Sequence, residues 1–483
     1  MKKLILSVAA LCICAVTMGQ DTGAQKAVQV AQIPGSAVGA NTGESIQNGS
    51  NNAVQVRQAG TEQSALTNQD GTGNLARLMQ TGNVNGNQSL SGQLNLAEVD
   101  QDGANNESTT AQQGDFNNAY TRQNNDGGDQ SLGNRAQIMQ GTGQQAENND
   151  AAIEQDGQDN SAYTLQTYDN SDAWTIQNGV GNTSEIDQNA GPENSQGQFA
   201  VVTQNGENNE SRVNQDNAAG SDARNVAYTT QAGSNNSAEQ IQSAEGSNGN
   251  LAVISQGPSN QIFQAPLPEQ IYFNTVALDP SISASGNNIG DSDNGVAFQQ
   301  QNGDGNQAFL GQYATTNDSN NGAQVQDGDN NAAAMLQNAF GSSNGSGNTG
   351  RQEQFGDGNA AGLMQNGSDH RALQSQIGNN NTTLSTQRGR NNNLNVFQEG
   401  NGSYAQSIQH GRNNIALMTQ RDGQSFTVRQ NEGQFGPGTG GNQADILQEG
   451  PLGTGIQNAF IQITPQGVTA PHSVSSFTLA PIN

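Results

Sequence analysis

Residues 69–80 read Gln69-Asp-Gly71-Thr-Gly73-Asn74-Leu-Ala76-Arg-Leu-Met-Gln80, and this stretch carries the pattern that decides the fold. Counting the first Gln as position 0, Gly stands at +2, Asn at +5, Ala at +7 and the next Gln at +11. The same marks recur along the chain, most regularly from Gln354 to Gln420, where every eleventh residue is Gln. A fixed period of this kind predicts a repeat architecture.

The repeat is long and keeps its phase. Eighteen uninterrupted eleven-residue steps occur, with Gly at +2 in seventeen of them, Asn at +5 in fourteen and Ala at +7 in twelve. Low-complexity disorder would not hold three positions in phase over such a length. The pattern therefore indicates an ordered array, with Tyr168 as the one exception at +2.

Composition excludes a thick apolar core. Only 31% of the 483 residues are hydrophobic, 61 are Gly, and the formal net charge is −27. Such a chain is either disordered or built from shallow repeating layers, and the phase of the repeat favours layers. The acidity also argues against a nucleic-acid partner, which would require a basic surface.

Each step divides into a turn and a strand. Positions +1 to +4 are rich in Gly, Asp and Asn, which suit turns, whereas +5 to +11 can form a strand. We expect an all-β parallel β-solenoid, amyloid-like, with two strands in each rung of about 22 residues. About fifteen rungs at ~4.8 Å each give a length of roughly 70 Å. Units carrying Gly and several Asn oppose a helix.

Strand alternation assigns the two faces. Positions +5, +7, +9 and +11 point inward, and +6, +8 and +10 point to solvent, because +8 includes residues as varied as Arg77, Tyr120 and Trp174. Position +9 is mostly apolar or Thr, and Gln240 and Gln374 are exceptions.

Inward Asn and Gln side chains are expected to stack on identical residues one rung away and to form hydrogen-bonded ladders. The predicted ladder and inner positions are Gln58, Gln69, Asn74, Ala76, Gln80, Gln354, Asn359, Gln365, Gln376, Asn381, Gln387, Asn392, Gln398, Gln409, Asn414 and Gln420. The predicted turn glycines are Gly71, Gly73, Gly356, Gly358, Gly378, Gly389 and Gly411.

The chain divides into six predicted segments. Residues 1–20 resemble a secretory signal peptide, because a short basic start precedes an apolar run and small residues. Residues 21–46 form a leader or cap, 47–256 a first repeat array and 297–462 a second. A Pro-containing interruption at 257–296 separates the arrays, and 463–483 form a tail or cap. No segment after the signal is apolar enough to be predicted to span a membrane.

The spacing Gln-x-Gly-x-Gly-Asn-x-Ala-x-x-x-Gln resembles the curlin repeat of bacterial curli fibre subunits. Residues 69–80 and 354–365 carry all of it, and 301–308 carry its first part. The resemblance covers about four fifths of the chain, which is unusually long for this family and adds the interruption and the tail.

The resemblance implies a secreted subunit that crosses the outer membrane through a dedicated pore and polymerises into functional amyloid fibres of the biofilm matrix. Its implied partners are further copies of itself, other curlin-like subunits, the secretion pore and assembly factors. The implied location is the cell surface or the extracellular space, where the fibre would serve adhesion and cell aggregation as a pilus-like structure.

The sequence offers no recognisable catalytic, cofactor or metal site. Its three histidines, His370, His410 and His472, form no pattern with Cys, Ser or acidic residues, and the recurring Gly pairs lack the Lys of a phosphate loop. We therefore expect a protein that is not an enzyme. The alternative is a monomeric capped β-solenoid that acts as an adhesin or as a carbohydrate- or ice-binding surface.

Overall fold

The structure is a computed structural model that describes residues 40–81, 93–125, 132–141, 146–191, 196–218, 221–257, 292–313, 319–338, 345–431 and 440–448. The predictions for residues 1–39, most of 257–296, and 449–483 with the tail therefore lie outside the described residues. Within the described ranges the chain is all-β, with thirty strands in two parallel sheets of fifteen strands each. The expected β-solenoid is confirmed.

The chain alternates between the sheets. The first, sheet A, contains the odd-numbered strands: β1 (Thr42–Ser50), β3 (Ser64–Thr72), β5 (Leu96–Ala104), β7 (Asn118–Asn124), β9 (Asp150–Gln158), β11 (Asp172–Val180), β13 (Phe199–Glu207), β15 (Val226–Ser234), β17 (Leu251–Gln256), β19 (Gln307–Gln312), β21 (Ala332–Gln337), β23 (Ala360–Ser368), β25 (Thr382–Arg390), β27 (Tyr404–Arg412) and β29 (Ser425–Gln430).

The second, sheet B, contains the even-numbered strands: β2 (Ala53–Ala59), β4 (Leu75–Thr81), β6 (Glu107–Gln113), β8 (Arg135–Gln140), β10 (Ser161–Thr167), β12 (Thr183–Asn189), β14 (Glu210–Asp216), β16 (Ser237–Ser243), β18 (Val296–Asn302), β20 (Asn321–Asp327), β22 (Thr349–Phe355), β24 (Arg371–Ile377), β26 (Asn393–Glu399), β28 (Ile415–Arg421) and β30 (Gln443–Gln448). One odd strand and the next even strand form a rung, so β1 and β2 are rung 1 and β29 and β30 are rung 15.

The register always pairs the Gln of one rung with the Gln of the next. Gln47 aligns with Gln69, 22 residues later, whereas Gln69 aligns with Gln101, 32 residues later. Longer rungs arise from residues inserted between strands, where added chain leaves the pairing intact. The predicted rung of about 22 residues thus applies where the eleven-residue steps are uninterrupted. Rungs that contain residues inserted between strands are longer.

The strands of the two predicted arrays stack without a break. Across the interruption β16 pairs with β18, and β17 pairs with β19. At the start of the chain, residues 42–46, which the sequence pattern places in the leader, belong to β1. They pair with Ser64–Asn68 of β3, which extends the solenoid toward the N-terminus.

The burial of alternate residues confirms the predicted inner face. In β4, Ala76, Leu78 and Gln80 are buried, whereas Arg77 and Met79 between them are exposed. Small residues at +7 let the sheets approach, and larger apolar residues at +9 fill the remaining width. The core is therefore one side chain thick on each sheet.

The outer face contains exceptions to the expectation of solvent exposure. Tyr120 was predicted to face outward, yet it is only 2% exposed. Glu98 and Ala152 flank it on the neighbouring rungs. Burial, together with the carboxylates of Glu154, Glu98 and Asp100, raises the pKa of its hydroxyl far above its ordinary value. Sheet A is also buried on its outer face in rungs 10–14, as described below.

The Gly at +2 is required by both its conformation and its neighbours. Gly71 has φ of 110°, and a Cβ on it would lie 1.9 Å from the carbonyl oxygen of Gly103 on the next rung. Position +4 is also left-handed, and it accepts Asn as well as Gly: Gly73 and Asn105 occupy equivalent positions with φ of 75° and 57°. This equivalence explains why many steps lack the second Gly of the repeat.

The turns are shorter than the sequence indicates. The repeat predicts Gly71, Gly389 and Gly411 as turn residues, but they lie near the ends of the nine-residue strands β3, β25 and β27. Each of these glycines aligns with a glycine on a neighbouring rung, so the pairing of strands continues beyond the Gln into the predicted turn. The other predicted turn glycines, Gly73, Gly356, Gly358 and Gly378, lie between strands.

Candidate functional site

Two continuous ladders of glutamine amides run through the whole described solenoid. In each, the Nε2 of one Gln donates to the Oε1 of the Gln on the next rung. Sheet A contains Gln47, Gln69, Gln101, Gln123, Gln155, Gln177, Gln204, Gln231, Gln256, Gln312, Gln337, Gln365, Gln387, Gln409 and Gln430.

Sheet B carries the matching ladder through Gln58, Gln80, Gln112, Gln140, Gln166, Gln188, Gln215, Gln242, Gln301, Gln326, Gln354, Gln376, Gln398, Gln420 and Gln448. The bonds in the two ladders measure 2.7 to 3.0 Å. All the ladder glutamines predicted from the sequence are members.

Every ladder Gln except Gln47 also links the two sheets. The Nε2 of Gln80 donates to the backbone oxygen of Ser64 in the opposite sheet at 2.9 Å, and Gln376 does the same with Ala360 at 3.1 Å. Both amide hydrogens and the amide oxygen are thereby satisfied in the interior. Gln is long enough to reach across the thin core, which is why the repeat uses it at +11.

The asparagines at +5 hold the turns in register. Asn74 Oδ1 accepts the backbone N–H of Asn106 at 3.0 Å, and Asn74 Nδ2 donates to the Gly103 oxygen at 3.0 Å. The predicted positions Asn359, Asn381 and Asn392 likewise donate to the +2 Gly of the next rung. Asn414 instead donates to Asn392 Oδ1 and to the His410 oxygen. Ala76 is a buried core residue between these polar ladders.

A third glutamine ladder, which the sequence analysis did not identify, lies inside sheet B at position +9. Its members, here called the inner Gln ladder, are Gln240, Gln299, Gln324, Gln352 and Gln374. Thr229 Oγ1 donates to its first member, and its last member donates to Ser385 Oγ. In the sequence, Gln240 and Gln374 stand out only as exceptions at +9, and the signal for this ladder is the recurrence of Gln two residues before the ladder Gln.

His370 replaces Asn at a +5 position and is fully buried. Its Nδ1 lies 3.3 Å from the backbone nitrogen of Asn392, and its Nε2 lies 3.3 Å from the oxygen of Asn366. The imidazole ring of His370 therefore makes contacts equivalent to those of the Asn side chain at +5 of other steps, such as Asn74. Burial lowers the pKa of His370 to about 4, so the ring is neutral at pH 7.

The two ends of the solenoid differ in exposure. At rung 1 the inward Val56 is 45% exposed, and nearly all of β1 is open to solvent. At rung 15 the inward side chains of Phe426, Val428 and Ile446 are buried. Among the described strands, β1 and β2 at one end and β29 and β30 at the other pair on one side only, so rung 1 and rung 15 both present an unpaired backbone edge within the described solenoid.

The ladders also have a direction. Every bond in the two Gln ladders runs from Nε2 toward the C-terminal rung, so rung 1 ends with the Oε1 acceptors of Gln47 and Gln58. Rung 15 ends with the Nε2 donors of Gln430 and Gln448, which bond to backbone oxygens. A second solenoid placed end to end in the same orientation would continue both ladders.

Within the part of the chain that the structure describes, no three His, Cys, Asp or Glu side chains form a group suited to a metal ion. The same residues include no helix of the length and hydropathy needed to cross a membrane. A comparison of the chain with known protein-family models and with curated proteins finds no match.

Proposed function

We propose that this protein is a secreted structural subunit that self-assembles into extracellular curli-like amyloid fibres. The observation that carries the proposal is the pair of uninterrupted, unidirectional Gln ladders leading to an open edge at rung 1. An exposed edge of parallel strands is a template for another chain, and identical ladders make another copy the best-matched partner.

The direction of the ladders favours head-to-tail stacking. Two rung 1 edges brought together would oppose Oε1 acceptors, whereas rung 15 against rung 1 places donors against acceptors. Such a contact is heterologous and does not close, so it produces a filament. The partners are thus other copies, and export would require an outer-membrane pore with its assembly factors; adhesion and biofilm formation would follow from the fibre.

The test is assembly from monomer. The full-length chain would be diluted from denaturant and followed by thioflavin fluorescence, with fibre diffraction on the product. We expect seeded growth and a meridional spacing near ~4.7 Å. A soluble β-rich monomer that persists at high concentration would contradict the proposal.

A second candidate is a monomeric capped solenoid that acts as an adhesin or a carbohydrate-binding surface. The observation in its favour is the burial of Phe426, Val428 and Ile446 at rung 15, as expected where an end is covered. Sedimentation distinguishes the two: the capped solenoid remains monomeric, whereas the fibre subunit pellets after seeding.

A further inference from the structure

Five neighbouring strands of sheet A, from β19 to β27, are buried on both faces. Six outward-pointing residues there form the outer stripe: Phe309, Ala334, Leu336, Met364, Leu384 and Ile408. None is more than 5% exposed. They alternate with inward residues such as Leu310, Met335 and Leu363, which are also buried. Strands buried on both faces are typical of a sheet with a covering layer on each side.

The opposite sheet shows that this burial is local. At the same rungs, the outward residues of sheet B are exposed or half-exposed, including Arg351 and Phe397, with Ser375 as the buried exception. Phe298 on sheet B and Phe309 on sheet A occupy the same repeat position, +8, yet Phe298 is half-exposed and Phe309 is buried. A general property of the repeat therefore does not explain the outer stripe.

The described strands do not supply the cover. All thirty belong to the two facing sheets, so none of them lies over the outer face of sheet A. The ring of Tyr313 lies beside the outward Gly311 and covers part of this face, and a cover for the rest is expected because large apolar patches are rarely left open to solvent.

We propose that the outer stripe is the docking surface for residues 258–291 of the same chain, which pack on it as a third layer. This segment leaves the solenoid after Gly257 of rung 9 and returns at Ser292, so both its ends lie one rung from Phe309. It contains the apolar run Gln270-Ile-Tyr-Phe-Asn-Thr-Val-Ala-Leu278 and has no Lys or Arg. The apolar side chains of this run would be withdrawn from water by packing on the apolar outer stripe.

The length of the segment is sufficient. Five rungs span roughly 20 Å at ~4.8 Å per rung, and nine extended residues reach about 30 Å. The thirty-four residues from 258 to 291 could therefore run along the stripe and back to Ser292.

The exposure of the flanking strands favours this segment over residues 449–483. On the rung 9 side the outward Ser255 of β17 is already withdrawn from solvent. On the other side, Ser425 and Arg429 of β29 are exposed. A chain that leaves Gln448 at rung 15 would have to pass β29 to reach the stripe, and β29 shows no sign of a cover.

Photo-crosslinking tests the proposal directly. Phe309 would be replaced by p-benzoylphenylalanine in the full-length chain, with the same replacement of Phe298 as the matched control. We expect the probe at 309 to link to peptides from 258–291 within one chain, and the probe at 298 to give no such product. Links from 309 to 449–483, to residues 1–39 or to a second copy would overturn the proposal, as would the absence of any protein product.

A labelling experiment gives an independent result. Met364→Cys would be made with Cys12 and Cys14 replaced by Ser, and its maleimide reaction would be compared with that of Arg429→Cys. Replacing 258–291 by a short Gly/Ser linker should accelerate labelling at 364 on the order of tenfold and leave 429 unchanged. Continued protection at 364 in a folded variant would overturn the proposal.

Discussion

Gln242 and Gln301 are joined by a 2.9 Å hydrogen bond from Nε2 to Oε1 although fifty-nine residues separate them. Gln47 and Gln69, separated by 22 residues, are joined in the same way at 2.7 Å. The geometry of the ladder is therefore independent of the length of chain between its members. Loop closure becomes only slowly more costly with length, so insertions between strands are tolerated as long as the next Gln returns to register.

Removing one ladder glutamine should destabilise the solenoid locally. In Gln376→Leu, Gln354 Nε2 loses one of its two acceptors and keeps the Ala332 oxygen, whereas Gln398 Oε1 loses Gln376 but still accepts from Thr383 Oγ1. One buried amide hydrogen is left unsatisfied, so we expect a loss of about 1–3 kcal/mol in the free energy of unfolding. Urea unfolding measures it, and Arg371→Ala, an exposed change on the same strand, is the control. Equal midpoints for the two variants would contradict a structural role for the ladder.

The two kinds of glycine should respond differently to alanine. In Gly71→Ala the new Cβ would meet the backbone oxygen of Gly103, which cannot move without breaking the pairing of β3 with β5. Gly402 also has a positive φ, of 72°, but nothing lies within 4 Å of its Cβ position.

We therefore expect Gly402→Ala to cost only the left-handed backbone penalty of about 1–2 kcal/mol, and Gly71→Ala to cost considerably more. Gly402→Asn should be nearly neutral, because Asn occupies the equivalent position in many steps. Thermal unfolding compares the three variants. A Gly71→Ala protein as stable as Gly402→Ala would contradict the close approach between rungs.

Replacing one member of the inner Gln ladder should destabilise the protein more than replacing all five. Gln324→Leu alone leaves Gln299 and Gln352 without a partner on one side, at a cost of about 1–3 kcal/mol for each unsatisfied group. Changing all five members to Leu removes the interior donors and acceptors together and adds apolar area opposite Leu310 and Met335. The fivefold variant should be more stable in urea than the single variant. If the fivefold variant is the less stable of the two, the hydrogen bonds of the inner Gln ladder contribute more to stability than the removal of unsatisfied groups restores.

His370 should make stability depend on pH in a defined window. Its pKa falls from 6.5 in the unfolded chain to about 4 in the folded protein, because burial disfavours the charged ring. Between these values the unfolded state binds a proton that the folded state does not. Stability therefore decreases as pH falls from about 6.5 to about 4, by about 3 kcal/mol in total.

His370→Asn restores the residue that the repeat uses at +5 and should remove this dependence. The difference between the two proteins, measured by urea unfolding at several pH values, isolates the His from the carboxylates that titrate in both. Parallel pH profiles would show that the ring does not titrate as the structure indicates.

The period predicted most of the fold because each rung repeats the same local chemistry. Gln69, Asn74, Ala76 and Gln80 are four side chains on one face of a strand-turn unit, and no other secondary structure places them together. The inner Gln ladder was harder to foresee, because Gln240 and Gln374 at +9 acquire their role only when Gln299, Gln324 and Gln352 align between them.

Burial of the outer face could not be read from the repeat at all. Tyr120 and Leu384 occupy positions that face solvent elsewhere in the array, so the position in the repeat does not by itself decide whether such a residue is covered. A periodic pattern specifies contacts between equivalent residues of neighbouring rungs. It carries no information about what lies on top of them.

A proline at the open edge tests whether rung 1 takes part in assembly. The backbone N–H of Thr42 donates to the Gln63 oxygen, so in β1 the N–H groups of Thr42, Glu44 and Ile46 face β3, and that of Ser45 faces away. Ser45→Pro thus removes a donor from the free edge without breaking a bond within the monomer. We expect an unchanged urea midpoint and a seeded elongation rate lower on the order of tenfold. Ser45→Ala, which keeps the N–H, should elongate like the unmodified chain. If the proline variant elongates at the unmodified rate, rung 1 is not the growing edge, and head-to-tail stacking through β1 is wrong.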